Sequence, residues 1–76
     1  MVHAYVLVKT APGRSDPAID KIRAIGEIVE AHIVAGEYDI VAEVDAGDVY
    51  HVLQTASSNI QSLEGIETTR TYIALQ

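Results

Sequence analysis

Three histidines and eleven carboxylates are the groups in this 76-residue chain that could do acid–base or metal chemistry. His3, His32 and His51 would be the candidate ligands. No two of them stand at a ligand spacing such as i, i+4 on one helix. They read as surface or interface histidines. Glu30, His32, Glu43 and Arg70 lie in alternating apolar runs and could share one face of a sheet. The mixture of signs predicts a structural ion-pair network there rather than an acid–base pair. No nucleophile elbow, phosphate-binding P-loop or GxGxxG turn is present, and Gly13-Arg14-Ser15 is too short to serve as a phosphate loop. Cysteine is absent, which excludes a disulfide scaffold and any thiolate metal site. No catalytic residue, metal or cofactor is expected.

The elements that must position these groups follow from changes of periodicity. Residues 2–10 alternate, with Val2, Ala4, Val6 and Val8 on an apolar face and His3, Tyr5, Leu7 and Lys9 on a mixed one. Ala11-Pro12-Gly13 is a turn. Asp16-Pro17 predicts a helix start with Asp16 as N-cap, Ala18, Ile19, Ile22 and Ile25 form its apolar stripe, and Gly26 closes it. Residues 28–35 and 38–45 are two strands around a tight Gly36-Glu37 connection, hence a hairpin. Ala46-Gly47-Asp48 leads into the longest helix. Val49, Val52, Leu53, Ala56, Ile60 and Leu63 fall on its buried face, and Gly65 ends it. Residues 66–75 are a fourth strand rich in Thr, Ile and Tyr.

The order β-α-β-β-α-β predicts one α+β domain, residues 1–76, with a ferredoxin-like fold. It has a four-stranded antiparallel sheet carrying both helices on one face. The helices cover Val6, Val8, Ile40, Ala42, Val44 and Ile73. The other face carries Tyr5, Leu7, Val41 and Tyr72 and has no element left to cover it. Hydrophobic residues make up 49% of so short a chain. That predicts a homodimer packed sheet to sheet with two-fold symmetry. A Tyr72→Asp change should then disrupt assembly. The net charge is −6, and Arg14, Lys21, Arg23 and Arg70 are scattered, which argues against direct nucleic-acid binding. No apolar run is long enough to span a membrane. A soluble, cytoplasmic protein is the expectation.

Gly36-Glu37-Tyr38-Asp39 at the hairpin, followed by Gly65-Ile66 and Thr69-Arg70-Thr71-Tyr72-Ile73, resembles the effector-binding (RAM) domain of Lrp/AsnC regulators. The resemblance covers essentially the whole chain. It implies sheet-to-sheet dimers, higher oligomers such as octamers or decamers, and an amino-acid effector bound between dimers. It also implies a stand-alone form, because the first strand begins at Val2 and leaves no room for a helix-turn-helix domain. Transcription would then be modulated through full-length Lrp/AsnC regulators.

The same resemblance nominates ligand-binding residues. Gly36, Tyr38 and Asp39 would receive the effector, with backbone N–H groups for its carboxylate and Asp39 for its ammonium. Thr69, Thr71, Tyr72 and Ile73 would bear on it from the fourth strand, and Asn59 from the second helix. Asp39→Ala should weaken the response and leave the fold intact. Three other readings share this element order. One is a small dimeric ferredoxin-like (α+β barrel) enzyme, whose mark would be a pocket holding His3 or His32. Another is an ACT-like amino-acid sensor, paired edge to edge. The last is an assembly protein with no ligand.

Overall fold

A computed structural model describes all 76 residues, Met1–Gln76. The elements are β1 (Val2–Thr10), α1 (Ser15–Arg23), β2 (Ile28–Ile33), β3 (Ile40–Ala46), α2 (Val49–Gln54) with a π-helical continuation (Thr55–Ile60), and β4 (Ile66–Ile73). The sheet is antiparallel with order β2-β3-β1-β4. This is the predicted split βαβ architecture. β1 sits centrally because its even-numbered face is wholly apolar. Ala4, Val6 and Val8 are completely buried, as are Ile40, Ala42 and Val44 of β3. Ile19 and Ile22 of α1 and Val52, Ala56 and Ile60 of the second helix complete the core, and Ile73 packs partly buried at its margin.

Several boundaries shift for local reasons. α1 begins at Ser15, preceded by Arg14 at helical angles with no side-chain cap, so Asp16 is not the N-cap. Ser15 is fixed instead by its hydroxyl, 2.8 Å from Thr10 Oγ1. Asp16 lies in the first turn, where a carboxylate suits the helix dipole. The helix ends at Arg23, and Ile25 N–H bonds back to the Ile22 carbonyl. Gly26 keeps ordinary backbone angles, since only Gly13 and Gly65 have positive φ. The second helical stretch ends at Ile60, short of Gly65, which at φ +89° instead shapes the turn into β4. A side chain there would also strike Arg14, whose Cβ lies 2.8 Å from the position of an added Cβ.

The hairpin connection is longer than a tight turn, with β2 ending at Ile33 and β3 starting at Ile40. β4 likewise stops at Ile73. The second helix departs most from expectation. Asp48 caps it, accepting from His51 N–H at 2.8 Å. From Thr55 the winding widens, and Gln61 N–H bonds to the Ala56 carbonyl five residues back. The wider turn keeps Val52, Ala56 and Ile60 in line over the sheet and brings Thr55 inward. Val49 and Leu53, in the regular α-helical turns, are 46% and 50% exposed rather than buried.

Candidate functional site

The far end of the hairpin is tied down by β1 and β4. Asp39 N–H donates to the Val8 carbonyl at 2.9 Å, and Lys9 Nζ donates to the Glu37 carbonyl at 2.9 Å. Arg70 Nε donates to the Tyr38 hydroxyl at 2.7 Å. Asp39 Oδ2 accepts from Thr10 N–H at 2.8 Å and from Thr10 Oγ1 at 3.1 Å. The Thr10 amide holds the Asp39 carboxyl below its ordinary value, aided by the Thr10 hydroxyl and Lys9 and opposed by partial desolvation. A lowered carboxyl pKa adds stability that is complete above the ordinary value of 3.8 and is lost as pH falls through the folded-state value. Asp39→Ala should therefore lower the melting temperature at neutral pH, with the difference from wild type shrinking below about pH 4. Asp39→Asn, which can still accept from Thr10, should melt closer to wild type in the same thermal scans.

Both bonds to Asp39 fall on Oδ2, so Oδ1 is open to a further donor. Beside it lies a cleft of about 370 Å³ bordered by Lys9, Thr10, Gly13, Ser15, Asp39 and Glu67. An ammonium could meet Asp39 or Glu67 here, and a carboxylate could meet Lys9. Thr10 and Ser15 were not singled out from sequence. The available signal was Thr10 itself: a hydroxyl closing a run of buried alternate positions needs a partner.

The nominated residues divide. Gly36, Tyr38 and Asp39 share the hairpin end, joined to β4 through Arg70. Thr69, Thr71 and Ile73 pair with Val8, Val6 and Ala4, so they lie on the helix side of the sheet. Tyr72 pairs with Tyr5 on the open face and is 54% exposed. Asn59 is exposed on the π-helical segment and does not join the hairpin cluster.

The open face carries the expected residues but not as one polar network. His32 Nε2 meets Glu30 at 3.1 Å, two residues back on the same strand face. Glu43 goes to His3 instead, with Oε1 3.1 Å from Nε2, while His3 Nδ1 meets Asp45. Arg70 is taken by Tyr38. His3 stands between two carboxylates, Asp45 foremost, and its pKa is raised. Only the imidazolium can donate to both. No cluster of three His, Asp or Glu side chains is arranged to hold a metal ion. His3 borders an apolar depression of about 590 Å³ near the chain ends, and His32 one of about 260 Å³ at the β2 edge. Both are surface features; the space between sheet and helices is filled by aliphatic side chains.

Residues 3–76 match the family model for the Lrp/AsnC ligand binding domain. The chain belongs to the Lrp/AsnC ligand-binding domain family. It is 30% identical over 73 residues to the HTH-type transcriptional regulator FL11 of Pyrococcus furiosus, covering 96% of this chain and 48% of that protein. It is 27% identical over 70 residues to the leucine-responsive regulatory protein of Haemophilus influenzae, covering 92% and 42%. The chain thus spans about half the length of these curated relatives. A crystal structure of a Thermus thermophilus protein, TTHA0845, superposes with TM-score 0.95 at 33% identity, covering 100% of this chain and 95% of that one. Escherichia coli AsnC shares the fold, with TM-score 0.91 at 24% identity over 99% of this chain and 51% of that one. An Lrp/AsnC ligand-binding domain is a regulatory unit of transcription factors, not an enzyme.

Proposed function

We propose that these residues bind a free amino acid and self-assemble, and that the two events together modulate transcription. The observation that carries this reading is family membership combined with an ionised Asp39 at the rim of a small polar cleft. The effector would meet Gly36, Tyr38 and Asp39 at the hairpin, with Thr69, Thr71, Tyr72, Ile73 and Asn59 contributed from the same or neighbouring chains. A homodimer would form through the open sheet face, and dimers would join into octamers or decamers. An effector that prefers one assembly shifts the population toward it by its differential affinity. One curated relative is named for a response to leucine, which points to amino acids as the ligand class. The readout would pass through full-length Lrp/AsnC regulators in the cytoplasm. The βαββαβ elements run from Val2 to Ile73, so DNA contact would come from a segment outside this fold.

Thermal melts against each of the twenty amino acids test this directly. At ~100 times Kd an effector adds ~2.7 kcal/mol, which for a domain of this size raises the melting temperature by more than about 10 °C. Asp39→Asn should keep the fold and lose that rise. If no amino acid changes either the melting temperature or the oligomer size, effector binding is refuted.

A further inference from the structure

β2 is an edge of the sheet, with only β3 beside it. Val34 N–H donates to the Asp39 carbonyl across the hairpin. Antiparallel pairing alternates between bonded and non-bonded pairs. The amide groups of Ala31 and Ile33 therefore turn away from β3, toward the free edge. The strand around them is open, with the apolar Val29 and Ile33 53% and 45% exposed. Such an edge is a template for another strand.

The β2 sequence is also complementary to itself. An antiparallel copy centred on Ala31 sets Ala31 against Ala31, Glu30 against His32, and Val29 against Ile33, in both directions. Small meets small, acid meets imidazole, and aliphatic meets aliphatic. At the centre of that pairing, however, the acceptor is already taken. Arg23 reaches over from the last turn of α1 and donates to the Ala31 carbonyl through Nε at 3.0 Å and through a terminal guanidinium nitrogen at 2.7 Å. The register irregularity between Ile28 and Glu30 adds a second obstacle at one end.

We propose that the β2 edge is a strand-pairing site for a second copy of this chain, and that Arg23 holds it shut. Edge-to-edge growth into a continuous sheet is thereby blocked, whatever effector the domain binds. Removing the guanidinium should open the edge. Arg23→Met keeps the aliphatic stem and loses both donors. Native mass spectrometry of this variant should show an assembly larger than wild type at equal concentration. Hydrogen exchange at the Ala31 and Ile33 amides should slow at least about tenfold in it, as expected for newly paired strands. Adding Glu30→Lys sets a cation against His32 of the second copy and should restore the wild-type stoichiometry. Wild-type stoichiometry with unchanged exchange in folded Arg23→Met would overturn the proposal. Should that variant not fold, wild type decides: fast exchange at Ala31 and Ile33 supports a closed, unpaired edge, and strong protection there overturns it.

Discussion

Truncating Ile22 to alanine should cost roughly 2–5 kcal/mol, the range for large-to-small changes in a packed core. Ile22 is fully buried on α1, which packs over β2 and β3, and belongs to the single core cluster with Ala31, Ile40 and Ala42. A chain of this size has only about 4–11 kcal/mol of stability in total. Urea titration should therefore show a midpoint reduced by a large fraction, with a population already unfolded at moderate temperature. The informative control is Leu53→Ala. The apolar stripe read from the sequence counts Leu53 with Val52 and Ala56, whereas the structure leaves it half exposed. Its cost should stay within about 0.5–1 kcal/mol. Equal losses for Ile22→Ala and Leu53→Ala would mean that Leu53 is buried with Val52 and Ala56.

Placing a carboxylate on the open sheet face should abolish face-to-face assembly while sparing the fold. Tyr5 and Tyr72 pair across β1 and β4, 41% and 54% exposed, so neither holds the monomer together. Burying an uncompensated charge costs about 3–5 kcal/mol, which is on the order of a hundredfold or more in a dissociation constant. The two positions should differ. Arg70 lies on the same face beside Tyr38 and Tyr72, so it can partly offset a carboxylate at position 72. Tyr5 lies directly across from Glu43, so a carboxylate at position 5 meets one of like sign. Tyr5→Asp should dissociate the assembly more completely than Tyr72→Asp. Sedimentation equilibrium should give that order, and circular dichroism should show both variants folded. Unchanged association in both variants would place the interface elsewhere.

Element order and the two faces of the sheet were legible in the sequence because they rest on alternation. Ala4, Val6 and Val8 against Tyr5 and Leu7 form a pattern that tertiary contacts only reinforce. The left-handed angle of Gly65 was foreseen as a helix stop, but it serves the turn into β4, because the helical winding already ends at Ile60. Val49 and Leu53 satisfy α-helical spacing as well as Val52 and Ile60 do, so spacing alone does not show which of them the sheet covers. Leu63, placed on the helix by the same spacing, lies beyond its end and packs partly buried against the core. The start of α1 was misread because Asp-Pro is a strong local cap signal. It was overridden by the Thr10–Ser15 hydroxyl contact across the turn between β1 and α1, which periodicity cannot show. Sharing a strand face put Glu30, His32, Glu43 and Arg70 in one network on paper. Pairing register then gave Glu43 to His3 and Arg70 to Tyr38. Asp39 was singled out for a ligand, yet its partner Thr10 was not, because the two are 29 residues apart.

Native mass spectrometry of the purified chain, with and without an equimolar mixture of amino acids, reports stoichiometry and bound mass together. An effector-binding module should appear as an even-numbered assembly that gains the mass of an amino acid on addition of the mixture, with a change in the distribution of assembly sizes. A stable monomer at micromolar concentration that takes up no added mass would contradict both the sheet-face dimer and the effector site.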